Sequence, residues 1–253
     1  MENTKFIIGG RTGDLLHCLY SVRGICEKLG TKADLYITDD IRYGGDGFHF
    51  DINRTFEDLK PLILKQDYIS SFNILKDKID NFINLNDWRK SSGVFKTNWI
   101  KILSDLYQIP VSGKNWISYD KDELFKNKIV IHRSVWRFSK NFPWESIVKN
   151  NDCIFITSDI REYDIFPFKN LVKLHEWKSF SELAKIINSS KFFIGNMSTP
   201  LSLAHGLGVP RLAELFVTDQ KHYIGEEKIL DNYFYFSDTS TIHINGLEKY
   251  IKI

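Results

Sequence analysis

Short apolar runs that stop at glycine or a polar turn alternate with longer stretches whose apolar residues recur at helical spacing. Lys5-Phe-Ile-Ile8 is the first such run, ended by Gly9-Gly10, and a continuous apolar run suits a strand covered on both faces. Across residues 14–29, Leu15, Leu16, Leu19, Val22 and Ile25 recur with the period of a helix, and Gly30 stands where helices commonly end. Residues 33–38 predict the next strand, so the chain opens with a strand–helix–strand unit. Helical spacing returns at 56–64 and 99–107, while the aromatic-rich stretch 81–88 between them shows no clear period.

The segment from Ile109-Pro-Val-Ser-Gly113 to Glu123 reads as a linker, and a second alternation follows it. Lys128-Ile-Val-Ile-His132 predicts a strand, 144–149 a short helix, Cys153-Ile-Phe-Ile-Thr157 a strand and 171–174 another. Ser179-x-x-Glu182 is a capping box at the head of a helix over 179–188. Lys191-Phe-Phe-Ile-Gly195 is a strand, 200–207 a helix with Thr199 as N-cap and Pro200 in first position, and 211–216 a last strand. Strands alternating with helices in both halves imply two parallel, doubly wound sheets whose strand C-termini face one side. The expected class is therefore α/β, as two Rossmann-like domains, 1–112 and 113–253, facing a cleft where ligands bind.

Composition narrows the function classes. With 34 Lys+Arg against 32 Asp+Glu in 253 residues, the chain lacks the basic excess of a nucleic-acid binder, so no nucleic-acid partner is expected. The 43% hydrophobic content is ample for a packed core and rules out a disordered or fibrous chain. The 19 Phe, 11 Tyr and 6 Trp sit beside much Ile, Lys and Asn, which points to genome composition before a sugar-stacking surface. Three cysteines, Cys18, Cys26 and Cys153, form no CxxC pair, so a reducing, cytoplasmic compartment is expected. No apolar run has the roughly 20 residues a membrane helix needs. Peripheral association with a membrane surface stays open.

Three strand ends carry candidate chemistry. In Gly9-Gly-Arg-Thr-Gly-Asp14 the small residues let a ligand approach the backbone. Asp14 is either a carboxylate favoured by the helix dipole or a general base. The glycine spacing matches neither a P-loop nor the dinucleotide fingerprint. The loop from His132 to Pro143 offers Arg133, Ser134, Arg137, Ser139 and Lys140, either as a solvated basic loop or as a diphosphate clamp. In Ile194-Gly-Asn-Met-Ser-Thr-Pro200 a strand turns into a helix whose free N–H groups form a ready anion site, or simply a cap. His205, one turn further on, reads as a packed helix residue. Metal chemistry has no anchor: Asp120-Lys-Asp122 lies in the charged linker, and no HExxH, Cys/His cluster or Gly-x-Ser-x-Gly elbow occurs.

These residues together resemble a family. Gly9-Gly-Arg-Thr-Gly-Asp-Leu-Leu-His17 is similar to the N-terminal Gly-Asp-hydrophobic-hydrophobic-His motif of the ADP-heptose–lipopolysaccharide heptosyltransferases, glycosyltransferase family 9. Ile194-Gly-Asn-Met-Ser-Thr-Pro-Leu-Ser-Leu-Ala204, with Gly206-Leu-Gly-Val-Pro210, resembles the family's Gly-Asn-Asp-Ser-Gly-Pro-x-His-x-Ala signature. Lys140-Asn-Phe-Pro143 resembles its Lys-x-Trp-Pro. Met197, Thr199 and Ser202 depart from the pattern, replacing the usual Asp, Gly and His.

The resemblance implies a GT-B fold and an inverting, metal-independent glycosyltransferase of lipopolysaccharide or related glycan biosynthesis, with no cofactor beyond its donor substrate. Its partners would be a nucleoside-diphosphate sugar and a glycan or other hydroxyl acceptor. Residues 1–112 would be the acceptor side and 113–253 the nucleotide-sugar side. Carried over by position, Asp14 would be the base. Gly13, Arg133, Ser134, Lys140, Asn196, Ser198 and Thr199 would surround the diphosphate, and Ser158, Glu176 and Trp177 would face the base and ribose. A sugar-nucleotide epimerase or hydrolase of the same fold, with His132, Asp159 and Glu214 as acid/base candidates, is the alternative, as is a non-catalytic binding descendant.

Overall fold

A computed structural model describes residues 2–94, 96–111, 114–136, 138–139, 142–216, 232–236, 241–243 and 247–252. In the first half, strands β1 (Thr4–Ile8), β2 (Ala33–Ile37), β3 (Ile69–Ile74) and β4 (Phe82–Asn84) are joined through helices α1 (Thr12–Leu29) and α2 (Ile52–Ile63) and followed by α3 (Trp99–Tyr107). The strands pair in parallel in the order β3-β2-β1-β4. Phe6, Ile7 and Ile8 of β1 all lie fully buried, which is why that run carries no alternation, whereas β2 alternates buried Ala33, Leu35 and Ile37 with half-buried Asp34 and Tyr36.

In the second half, β5 (Ile129–His132), α4 (Trp144–Asn150), β6 (Cys153–Thr157), α5 (Ile160–Asp164), β7 (Lys173–Glu176) and α6 (Phe180–Ser189) come first. They are followed by β8 (Phe192–Asn196), α7 (Thr199–Gly206), β9 (Arg211–Leu215), β10 (Asn232–Phe236) and β11 (Thr241–His243). The strand order is β11-β10-β9-β8-β5-β6-β7. All pairs are parallel except β10 with β11, so this sheet is mixed at one edge where a purely parallel one was expected.

In each sheet the chain first builds outward on one side and then returns to the other side of its starting strand. The β1–β4 and β5–β8 borders are the resulting switch points, and open α/β sheets bind ligands beyond the strand C-termini at such borders.

Several expectations shift. β3 and β4 had no strand signal, and the unassigned 81–88 stretch holds β4 with the start of a 3₁₀ helix, Leu85–Lys90. The strand expected at 171–174 is β7, displaced toward the C-terminus by a 3₁₀ turn over Lys169–Leu171. Ser198, not Thr199, is the N-cap of α7, and Thr199 opens the helix with Pro200 behind it. The capping box is split: Ser179 Oγ accepts from the Glu182 N–H, but the Glu182 carboxylate reaches back to the N–H of Lys178.

The halves share one apolar core. α1 packs on α7 and α2 on α6, and residues of all four helices belong to a single buried cluster. Part of the expected linker is packed between them: the Trp116 indole donates to Leu16 O at 2.8 Å, and Ile117 N–H donates to Gly206 O at 2.9 Å. The domain boundary expected at 112/113 lies outside the described residues. No described helix is long and apolar enough to cross a membrane, and the three cysteines are buried and unpaired with one another.

Candidate functional site

The β1–α1 turn is built for close approach. Gly10 has φ +103°, and a side chain there would meet the Arg89 guanidinium. A side chain on Gly9 would strike Thr38 O. Two residues into α1, Gly13 faces the start of α7: a Cβ there would lie 3.1 Å from Ser202 Oγ and 3.7 Å from Thr199 Cα. The first turns of the two helices, one from each half, therefore pack against each other.

Asp14 sits in the first turn of α1, with Oδ2 2.5 Å from Arg89 Nη2. Arg89 comes from the 3₁₀ helix after β4, and β4 borders β1, so parallel pairing alone brings the two together. Its guanidinium is steadied by Asn86 Oδ1 at 3.2 Å, by Asp46 at 3.4 Å and by the Trp88 ring face at 4.4 Å. The Asp14 side chain keeps 22% of its surface exposed. Arg89 was missed in the sequence, where its stretch showed only aromatic content without period.

The loop after β5 is tied down by two buried side chains. Glu214 on β9, fully buried, accepts from Arg133 Nη2 at 2.8 Å and Nε at 3.0 Å, from Ser139 N–H at 2.8 Å and from the Trp144 indole at 3.2 Å. Burial pushes the Glu214 carboxyl above its ordinary range, against the pull of Arg133. Asn196 at the end of β8, also fully buried, accepts from Ser134 N–H at 3.0 Å and donates to Trp136 O at 2.6 Å. Arg133, Ser134 and Asn196 thus hold the loop's shape. This differs from the expected presentation of Arg133 to a diphosphate, because its guanidinium is committed to Glu214. The indole of Trp136 is carried outward, 73% exposed. Lys140 and Arg137 lie outside the described residues.

At the start of α7, Ser198 has an extended backbone but caps no helical N–H with its hydroxyl. That hydroxyl lies 3.2 Å from His132 Nδ1 and donates to Asn196 O at 3.0 Å. His132 Nε2 lies 3.1 Å from Glu162 Oε2, which also accepts from Thr157 Oγ1 at 2.5 Å. Burial raises the Glu162 carboxyl, but its bonds with His132 and Thr157 outweigh that and leave it below the ordinary range. Met197, where the family pattern has Asp, packs against the shared core. Of the residues expected near base and ribose, Ser158 and Glu176 are exposed at the ends of β6 and β7. Trp177 is half-buried, with its backbone N–H on Thr157 O at 3.0 Å. Its indole N–H has no partner among the described residues.

His205 is a packed interface residue. It is fully buried, with Nδ1 3.3 Å from His17 Nε2 across the α1–α7 contact. Burial, then Arg211 and His17, hold it well below the ordinary histidine range, hence neutral.

A scan against protein-family models and a search of curated proteins gave no match. Solved structures do resemble the chain. The E. coli heptosyltransferase WaaC with ADP aligns over 84% of this chain and 87% of its own, at 12% identity and TM-score 0.50. A family 9 glycosyl transferase from Veillonella parvula aligns over 84% and 80%, at 11% identity and TM-score 0.51. The chain shares their fold. That fold is GT-B. The dodecameric, iron-containing heptosyltransferase TibC in complex with ADP-D-beta-D-heptose aligns over 83% of this chain and 58% of its own, at 12% identity and TM-score 0.54.

Proposed function

We propose that the protein is an inverting, metal-independent glycosyltransferase, moving a sugar from a nucleoside diphosphate to a glycan hydroxyl at the mouth where α1 and α7 begin. One observation carries the reading: Gly13 lets the first turn of α1, which bears Asp14, abut Thr199 and Ser202 of α7, so the carboxylate-bearing turn of one half lies against the helix N-terminus of the other. Each of these turns lies beyond a switch point of its own sheet.

In a single displacement, bond breaking runs ahead of bond making, and negative charge grows on the departing diphosphate. The N–H groups at the start of α7 and the Ser198 hydroxyl stabilise that charge, with Lys140 in the family's cationic position. Asp14 takes the acceptor proton as the new bond forms, with Arg89 fixing its orientation. Residues 1–112 carry the acceptor side and 113–253 the donor side, with Ser158, Glu176 and Trp177 around base and ribose. ADP-heptose, seen bound to TibC, is the first donor to try.

The test is a thermal-shift panel of nucleoside diphosphates and their sugars, followed by product analysis with and without acceptor. Stabilisation by one nucleotide series and acceptor-dependent transfer support the reading; no stabilisation by any of them defeats it. Sugar turnover without acceptor would indicate the epimerase or hydrolase instead.

A further inference from the structure

We propose, resting on the reading of Asp14 as base, that Asp46 is an acceptor-binding residue that accepts a hydrogen bond from a second hydroxyl, so that the acceptor is a sugar with two neighbouring free hydroxyls. Asp46 lies in the glycine-rich loop between β2 and α2. That loop is seated directly on the β1–α1 turn: a side chain on Gly45 would come within 2.6 Å of Gly9 C and 2.9 Å of Gly10 N. Gly10 in turn leaves room for the Arg89 guanidinium and the Asp46 backbone, which lie 2.7 Å and 3.3 Å from where its Cβ would be. Buried Asn86 locks these pieces together. Its Oδ1 accepts from Gly9 N–H at 3.3 Å and from Arg89 Nη1 at 3.2 Å, and its Nδ2 donates to Tyr43 O, just ahead of the glycines, at 3.0 Å.

Neighbouring nitrogens of one guanidinium then meet two different carboxylates. Arg89 Nη2 lies 2.5 Å from Asp14 Oδ2, and Arg89 Nε lies 3.4 Å from Asp46 Oδ2. A single carboxylate often takes such a pair of nitrogens as a fork; here the pair is divided, and Asp46 has the longer contact. Its side chain is 61% exposed, against 22% for Asp14 and 15% for Arg89. Asp46 is thus carried to the base by a fixed backbone and left open to an incoming donor. An ionised carboxylate accepts hydrogen bonds and donates none, so a hydroxyl is what it selects. Two carboxylates side by side on one guanidinium suit two hydroxyls side by side on one sugar ring. The hydroxyl at Asp14 gives its proton to that carboxylate as its oxygen bonds to the anomeric carbon and the diphosphate leaves with the bonding pair. The hydroxyl at Asp46 keeps its proton and fixes the ring.

The experiment uses the full chain, the nucleoside-diphosphate sugar that stabilises it most, and as acceptors a panel of methyl hexosides and methyl heptosides, each beside analogues lacking one hydroxyl. Removing the hydroxyl next to the glycosylated one is expected to lower wild-type kcat/KM by about tenfold to hundredfold, the worth of one hydrogen bond to a charged group. Asp46→Ala should raise the acceptor KM by about the same factor, keep kcat within about threefold, and no longer distinguish that analogue from its parent. Asp46→Asn, whose amide oxygen still accepts, should recover part of the loss. If Asp46 merely braces Arg89, kcat falls, the acceptor KM stays, and the analogue is still penalised, which overturns the proposal. Failure of every glycoside to be used, with the nucleotide still bound, also overturns it and leaves the donor site standing. Absence of nucleotide binding defeats the glycosyltransferase reading itself.

Discussion

Two arginine–carboxylate pairs sit at the ends of the two sheets, and they differ in how far they are closed off from solvent. In the first half Arg89 meets Asp14 at 2.5 Å, and in the second Arg133 meets Glu214 at 2.8 Å. The arginines are alike, 15% and 14% exposed, but Asp14 keeps 22% of its side chain open whereas Glu214 keeps none. A carboxylate open to solvent can exchange a partner for an incoming hydroxyl. One sealed under a loop, with Ser139 and Trp144 completing its bonds, can only hold the loop. Burial, not residue type, separates the open pair from the sealed one, and the proposed base lies in the open pair.

The comparison breaks most sharply at Asp14. Asp14→Ala should lower transfer by about 10²- to 10⁴-fold while nucleotide binding persists and stability changes by no more than about 1 kcal/mol. Single-turnover assays beside urea unfolding read both, and transfer near the wild-type rate removes Asp14 as the base. Glu214→Ala should do the reverse. Leaving Arg133 buried without its counter-charge costs about 3–5 kcal/mol, visible as a lower urea midpoint; a stability loss under about 1 kcal/mol would show that the pair is no brace.

Arg89→Ala tests whether Asp14 needs its partner for aim. About a tenfold to hundredfold drop in kcat with little change in stability is expected, and wild-type kcat would place Arg89 outside the mechanism.

The smallest effect concerns the interface that joins the two regions. Neutral His205 has its folded-state value depressed, so the unfolded chain binds its proton first. Stability is therefore complete above the ordinary value of 6.5 and declines as pH falls below it, by at most about 1.4 kcal/mol per pH unit from this residue. Unfolding curves at several pH values check this, and His205→Gln should flatten the slope.

Much of the frame was legible. Lys5-Phe-Ile-Ile8 and Cys153-Ile-Phe-Ile-Thr157 read as buried strands because both their faces are covered, and α1 and α6 announced themselves by period and cap. β3 and β4 stayed hidden: Ile69–Ile74 mixes serine and asparagine into its exposed positions, and Phe82–Asn84 is too short for any pattern. Asp14 stood out through its glycines, but its role as base remains a proposal. The partners did not stand out, since Arg89 is 75 residues from Asp14, Glu162 is 30 from His132 and Glu214 is 81 from Arg133.

The sequence by itself determined the alternation of elements, the two doubly wound halves and the turns where a ligand can approach, because these depend on local period, caps and glycines. Only the tertiary structure decided which charges meet. Parallel strands bring the ends of distant segments side by side, and burial then chooses which pair keeps surface open and which one is sealed.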